Sequence, residues 1–341
     1  MNLKKNIFIA TIVAISLYPP LTIAETQKIN LSAIQKLANQ GDANAQFSLG
    51  YLYSQGEEVV QDYAKALEWY RKAADQGNDV AQLFLGISYA EGKGVPQDYI
   101  RAAEWYRKAA DQGNDVAQSL LGSIYSKGQG VPQDYTKALE WYRKAADQGS
   151  VGAQVNLGML YANGQGTLKN YAKALEWYRK AADQGSADAQ NNLGRLYSKG
   201  QGVPQDYAKA LEWYRKAAEQ DNDSAQFNLA LMYEDGQGVP KNYTQAVAWY
   251  RKAADQGNVR AQFNLGMSYA EGQGVPKNYT QAAAWFRKAA DQGDDNAQYN
   301  LATLYYRGLG VPKNINVAKQ WYRKAAIQGN SEAKNFLDGL K

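Results

Sequence analysis

Residue types able to do chemistry are thinly spread along this sequence. One Ser-x-x-Lys, Ser331 to Lys334, has the spacing of an acyl-enzyme serine and its lysine. It lacks Ser-Asp-Asn and Lys-Thr-Gly companions, so the spacing reads as chance. Gly92-Lys93-Gly94 resembles a phosphate cradle, but the Walker spacing and a following Ser or Thr are missing, and Pro96 removes an amide donor. Asp294-Asp295-Asn296 is acidic enough to suggest calcium, yet it stands at a helix start, where capping explains it. The 341 residues contain neither histidine nor cysteine. Thiolate nucleophiles, His–Cys zinc sites, His-based triads and disulfides are therefore excluded. Carboxylate-only catalysis and all-oxygen metal sites stay open.

Charge adds little in the way of chemistry. Lys and Arg total 38 against 33 Asp and Glu, a net charge of +5, which does not mark a nucleic-acid binder. Arg71-Lys72 and its seven copies place positive charge at regular intervals, each near an acid such as Glu68 or Asp75. They read as a solvated, internally paired face. Glu104 and Lys108 stand at i, i+4 in the favourable order. Asn242-Tyr243-Thr244 and Asn278-Tyr279-Thr280 match a glycosylation sequon that matters only in a glycosylating host.

The first residues have the pattern of an export signal. Lys4 and Lys5 precede an uncharged apolar stretch from Ile7 to Tyr18, Pro19-Pro20 ends it, and Thr22-Ile23-Ala24 offers small residues to a peptidase. The stretch falls short of the about 20 residues that a spanning helix needs. Cleavage after Ala24 is expected, and no cysteine follows to carry a lipid anchor. The predicted location is the periplasm or the medium, without stable membrane insertion.

A fixed period governs the rest. The eight tryptophans, Trp69, Trp105, Trp141, Trp177, Trp213, Trp249, Trp285 and Trp321, are each 36 residues apart. Such a period indicates stacked structural repeats. In the unit after Asn78, Ala81, Leu85, Gly86 and Tyr89 fall on one helical face, and Gly92 to Pro96 breaks the helix. Asp98 caps a second segment in which Tyr99, Ala102, Trp105, Tyr106, Ala109 and Ala110 recur at three and four, until Gln112-Gly113 ends it. Each unit is a helix hairpin that buries its apolar stripe on its neighbours. The tryptophans, at helical spacing among Ala and Leu, are expected in the core. The predicted fold is all-α, a right-handed α/α solenoid, or superhelix, of stacked hairpins. Its expected parts are a signal peptide over 1–24, an N-terminal capping helix within 25–42, eight repeats over 43–330 and a C-terminal capping helix over 331–341.

The run Ala-x-x-x-Leu-Gly-x-x-Tyr, Gly-x-Gly-Val-Pro, then Asp-Tyr-x-x-Ala-x-x-Trp-Tyr-x-x-Ala-Ala, complete in residues 117 to 149, resembles the Sel-one-like repeat family, a longer-looped cousin of the tetratricopeptide repeats. The resemblance covers 31–341. It implies the solenoid and a binding role, and is weakly specific for the partner. Local departures leave some joints open: Glu57, Glu58 and Val60 in the first loop, Thr167-Leu168 in the fourth, Asp221 at a capping glycine, and Ile315 and Lys319 in the last second helix. Some cysteine-rich exported members have been linked to β-lactams, but this chain has no cysteine.

By the same resemblance, residues 47, 48, 51, 54 and 55 and their 36-residue equivalents point into a concave groove. Early units place Phe47, Phe84, Ile87 and Leu120 there, and later ones Asn156, Asn192, Asn228, Asn264 and Asn300, with Arg195, Lys199, Arg260 and Arg307 nearby. Asparagine both donates and accepts, so a row of them could grip the backbone of an extended chain. A local hydrogen-bonding role is the alternative for these residues. The expectation is a non-catalytic, monomeric, exported scaffold that needs no cofactor and no metal, binds a protein or peptide rather than nucleic acid, and regulates or assembles an envelope protein. Alternatives are a secreted host-interaction factor, a periplasmic immunity protein blocking a toxin and, in another class, a cell-wall or β-lactam hydrolase.

Overall fold

Two helices of 13 residues are written into each period. The structure, a computed structural model, describes residues 31–339, so the expected export signal lies outside the described residues. In chain order the helices are α1 (Leu31–Asn39), α2 (Ala43–Gln55), α3 (Tyr63–Asp75), α4 (Asp79–Glu91), α5 (Tyr99–Asp111), α6 (Asp115–Lys127), α7 (Tyr135–Asp147), α8 (Val151–Asn163) and α9 (Tyr171–Asp183). They continue as α10 (Ala187–Lys199), α11 (Tyr207–Glu219), α12 (Asp223–Asp235), α13 (Tyr243–Asp255), α14 (Val259–Glu271), α15 (Tyr279–Asp291), α16 (Asp295–Arg307), α17 (Ile315–Ile327) and α18 (Ser331–Asp338). No strand occurs among the described residues. The fold is the predicted all-α stack of hairpins.

Caps and turns set the boundaries. Asn78 accepts the Ala81 amide at 2.8 Å and starts α4; Gly92, at φ 70°, stops it in the left-handed region. Gly94, at φ 74°, has a second constraint: a Cβ there would lie 2.7 Å from the Tyr63 carbonyl of the preceding hairpin. Glu58 holds the equivalent place in the first loop at φ 59°, and Asp221 holds a capping-glycine place at φ 60°. Both sequence departures therefore keep the repeat's left-handed turn and carry its backbone strain on a side-chain-bearing residue.

The described residues divide into two compact units, the first ending at Asn170 and the second beginning at Tyr171. In the first, α1 packs on the hairpin α2/α3, which packs on α4/α5 and then α6/α7, with α8 against α7. In the second, α9 packs on α10, followed by the hairpins α10/α11, α12/α13, α14/α15 and α16/α17, with α18 on α17.

Hairpins close on a glycine–tyrosine contact. A Cβ on Gly122 would lie 2.8 Å from the Tyr142 ring, and one on Gly194 would lie 2.6 Å from Tyr214. The missing side chain lets the ring lie flat on the first helix. Trp141, Trp177, Trp285 and Trp321 are buried as expected, whereas Trp69, Trp105, Trp213 and Trp249 are half-buried. In every repeat the lysine three residues on lies over the indole, as Lys108 does at 3.9 Å from the Trp105 ring.

Hairpins join through buried polar groups. Gln226, fully buried, donates to Ala218 O of the preceding hairpin at 3.2 Å and accepts from Gln256 of its own hairpin at 2.9 Å. Gln82, Gln118, Gln190, Gln262 and Gln298 repeat both bonds. The arginines of the Trp-Tyr-Arg-Lys run are not the acid-paired, solvated row expected from sequence. Arg71 donates to Tyr89 at 2.8 Å and Arg179 to Tyr197 at 2.7 Å, each on the following first helix. Ion pairs of the expected i, i+4 kind are found at Glu176–Lys180 and Glu212–Lys216, while Lys108 sits on its tryptophan instead.

Candidate functional site

First helices carry the residues that differ between repeats, and in each unit these gather differently. In the first unit they are aromatic. Phe47 and Phe84 meet edge-on with centroids 5.3 Å apart, and Tyr51 lies 6.0 Å from Phe84. Both phenylalanines also touch the ring of Tyr70, so they roof the core of their hairpins. Ile87, Leu120 and Asn156 are half-buried on the helices that follow.

In the second unit, polar side chains on three first helices form a pocket of about 480 Å³. Asn191, Arg195, Ser198 and Lys199 come from α10, Ser224, Asn228, Leu231, Met232 and Asp235 from α12, and Arg260 from α14, with Tyr214 and Gln237 completing the wall. Helical geometry makes this possible: residues 191, 195, 198 and 199 share one face at i, i+4, i+7 and i+8. Arg195, Asn228 and Arg260, selected from sequence, are thus brought together. Asn192 is half-buried one position round the helix from Asn191, which lines the wall instead.

Hydrogen bonds divide the asparagines. Asn228 Nδ2 donates to Asn191 Oδ1 at 2.9 Å. Asn264 donates to the Tyr250 hydroxyl at 3.0 Å and Asn300 to Asn296 O at 2.9 Å. Those two amides are engaged in the stack itself, as the local hydrogen-bonding alternative anticipated.

Buried tyrosines on the second helices turn their hydroxyls to the first helix of the same hairpin. Ser54 accepts from Tyr70 at 3.1 Å, Ser198 pairs with Tyr214 at 3.4 Å, and Glu234 accepts from Tyr250. Where the serine place is Ala270, the ring is Phe286 and there is no hydroxyl to satisfy. This exchange 16 residues apart was visible in sequence and not read there. Tyr178 keeps its hydroxyl, buried and without a hydrogen-bond partner among the described residues. Burial pushes its pKa up to about 12, and the nearby Arg195 pulls the other way. Burial likewise raises Tyr214, again opposed by Ser198 and Arg195. One guanidinium therefore stands beside two hydroxyls.

No group of three or more Asp or Glu places itself to hold a metal ion among the described residues, and no helix there is long and apolar enough to cross a membrane. Ser331 hydrogen-bonds its neighbour Glu332 at 3.0 Å.

Comparison with known proteins fits this architecture. The sequence model of the Sel1 repeat matches eight consecutive segments, 43–78, 79–114, 115–150, 151–186, 187–222, 223–258, 259–294 and 295–330. The chain belongs to the Sel1 repeat family. Among solved Sel1-type structures, a protective antigen of uropathogenic Escherichia coli with an SLR fold is 42% identical, with a TM-score of 0.80 over 92% of this chain and 67% of that one. A Sel1 repeat protein from Oxalobacter formigenes is 38% identical, with a TM-score of 0.73 over 92% of this chain and 91% of that one. Among curated proteins, the secretory immunoglobulin A-binding protein EsiB of Escherichia coli is 40% identical over 69 residues, a stretch spanning 20% of this chain and only 14% of that protein.

Proposed function

We propose that this Sel1 repeat protein is a non-catalytic, exported scaffold that holds a protein or peptide along its first helices. The observation that carries the reading is the pocket on α10, α12 and α14, where Arg195, Asn228 and Arg260 converge on a surface that the core does not require. Elsewhere, polar side chains with the same regularity are engaged in joining hairpins. Export rests on the Lys4-to-Ala24 pattern, and a mature amino terminus at Glu25, read by mass spectrometry after fractionation, tests it. The periplasm, with a partner in the envelope, is the leading location.

A host protein as partner is the second reading, favoured by the 40% identity to EsiB, whose name records binding of secretory immunoglobulin A. Capture from envelope extract and from host secretions, side by side, separates the two. The test of the surface itself is Asn228→Trp, which fills the pocket. Loss of the captured partner with intact helical circular dichroism is expected; capture with unchanged affinity would overturn the site.

A further inference from the structure

The charges around this pocket are arranged at a cost that the fold does not explain. Arg195 and Lys199 stand at i, i+4 on α10, a like-charge spacing that destabilises a helix. Arg260 enters the same wall from α14. None of the three makes an ion pair with a carboxylate among the described residues. Most other cations of the repeat are engaged: the Arg71 series on tyrosine hydroxyls, the Lys72 series on indoles. Arg260 is held differently, with its guanidinium 4.4 Å from the Phe227 ring centroid. Stacking fixes the plane of the fork and leaves its N–H edge free for two parallel bonds. Beside Arg195, behind the pocket wall, lies the buried hydroxyl of Tyr178, which the guanidinium stabilises in its ionised form.

The floor is complementary to a peptide group. Asn228 uses Nδ2 on Asn191 Oδ1, which leaves Asn228 Oδ1 as an acceptor and Asn191 Nδ2 as a donor. That is the pair of functions one backbone amide requires. Asp235, the one acid in the wall, adds an acceptor and opposes a bare anion that carries no donors of its own.

We propose that this pocket binds a carboxylate borne by an extended polypeptide, with Arg195, Lys199 and Arg260 on the carboxylate and Asn191 and Asn228 on the adjoining backbone amide. The inference rests on the proposed partner-binding surface and names the group that surface recognises. The carboxylate comes either from an acidic side chain or from a chain terminus, and the chemistry at the arginines is the same.

Three probe peptides distinguish the outcomes: acetyl-Gly-Ser-Gly-Glu-Gly-Ser-Gly amide, its Gln counterpart as the amide, and that Gln counterpart with a free carboxyl terminus. Binding to the full chain is read by calorimetry and by the side-chain N–H resonances of Arg195, Arg260 and Asn228. At least one acidic probe is expected to bind tenfold or more tightly than the neutral amide and to shift those resonances, weakening as salt rises. Preference for the Glu probe assigns a side-chain carboxylate, and preference for the free acid assigns a chain terminus. The double variant Arg195→Ala, Arg260→Ala should lose at least tenfold, while Asp235→Asn should tighten binding severalfold by removing a like charge. Equal binding of all three probes, binding of none, or an unaffected double variant overturns the proposal. If Asn228→Trp abolishes capture of the natural partner while the arginine double variant does not, the surface stands and the carboxylate reading falls. If neither affects capture, both fall.

Discussion

Arg71, on the second helix of one hairpin, donates from Nη2 to the hydroxyl of Tyr89 on the first helix of the next at 2.8 Å. The 18-residue separation recurs at Arg107–Tyr125, Arg143–Tyr161, Arg179–Tyr197, Arg215–Tyr233, Arg251–Tyr269 and Arg287–Tyr305. A solenoid has no long-range contacts to hold register, so each joint must specify its own. Here a charged donor reaches one particular hydroxyl, while the aromatic ring beneath it supplies the packing. Tyr89→Phe keeps the ring and removes the acceptor, leaving an exposed guanidinium that water can serve. The expected cost is about 1 kcal/mol, within the usual range for one hydrogen bond. Tyr89→Ala also deletes the ring and should cost ~3–5 kcal/mol. Urea unfolding of both variants measures the difference, and equal losses would mean that the bond rather than the packing sets the joint.

Gln226 tests the inner half of the same joint. Its amide is fully buried, gives one bond to Ala218 O and takes one from Gln256. Gln226→Leu matches the volume but takes one of two donors from Ala218 O, which keeps its turn bond from Asp221 N, and leaves the Gln256 amide without its acceptor. A loss of about 1–3 kcal/mol is expected, with faster hydrogen exchange at the start of α12 and the end of α11. A variant as stable as the parent would mean that apolar burial alone joins these hairpins.

How much of this was legible depends on what kind of constraint each residue meets. The repeat and its helix ends could be read because they obey rules local to one helix or turn, a cap, a left-handed glycine or an apolar stripe, whereas only Trp141, Trp177, Trp285 and Trp321 are buried as the stripe suggested. The Arg71–Tyr89 bond obeys no local rule. Both residues occur in nearly every unit, so no exchange between units exposed the pairing, and nearby acids offered a plausible wrong partner. The Tyr250-to-Phe286 change alongside Glu234 and Ala270 follows its pairing, but Tyr106 and Tyr178 stay tyrosine opposite Ala90 and Ala162, so the pattern alone does not single it out. At the pocket, the place of Asn191 was among those expected in the groove, but the row of asparagines one residue on drew the selection to Asn192, about 100° round the helix. Nor could sequence show that Asn264 is taken by Tyr250.

Acid should act on this protein through a subset of its helix caps. Asp62, Asp134 and Asp206 cap α3, α7 and α11, and the backbone N–H groups of Lys65, Lys137 and Lys209 hold their carboxyls below the ordinary aspartate value of 3.8. A carboxylate whose pKa falls on folding contributes stability that is present above 3.8 and is lost as pH drops through the lower folded value. The equivalent caps of α13, α15 and α17 are Asn242, Asn278 and Asn314, which do not titrate. Asp294, on α16, runs the other way, because burial raises its pKa. The amide resonances of Lys65, Lys137 and Lys209 should therefore titrate with midpoints below 3.8, those of Gln245 and Gln281 should show no such step, and that of Ala297 should titrate above 3.8. Midpoints at the ordinary value for all the aspartates would show that the caps are not formed in solution.

Asp221 offers a gain rather than a loss. It occupies a turn filled by glycine at Gly77, Gly113, Gly149, Gly185, Gly257, Gly293 and Gly329, and it adopts φ 60° there. A left-handed backbone costs a side-chain-bearing residue ~1–2 kcal/mol, and aspartate somewhat less because its short polar side chain bonds locally. The local bond is weak here, a 3.4 Å contact from the Gln226 amide. Asp221→Gly removes the strain but adds freedom to the unfolded chain, about 0.5–1 kcal/mol in the opposite direction. The net expectation is a small stabilisation, up to ~1 kcal/mol, seen as a higher urea midpoint for the second unit. Asp221→Ala keeps the Cβ and loses the local bond, so it should fall below the parent. If the alanine variant equals the glycine one, left-handed strain at this joint is not what the aspartate carries.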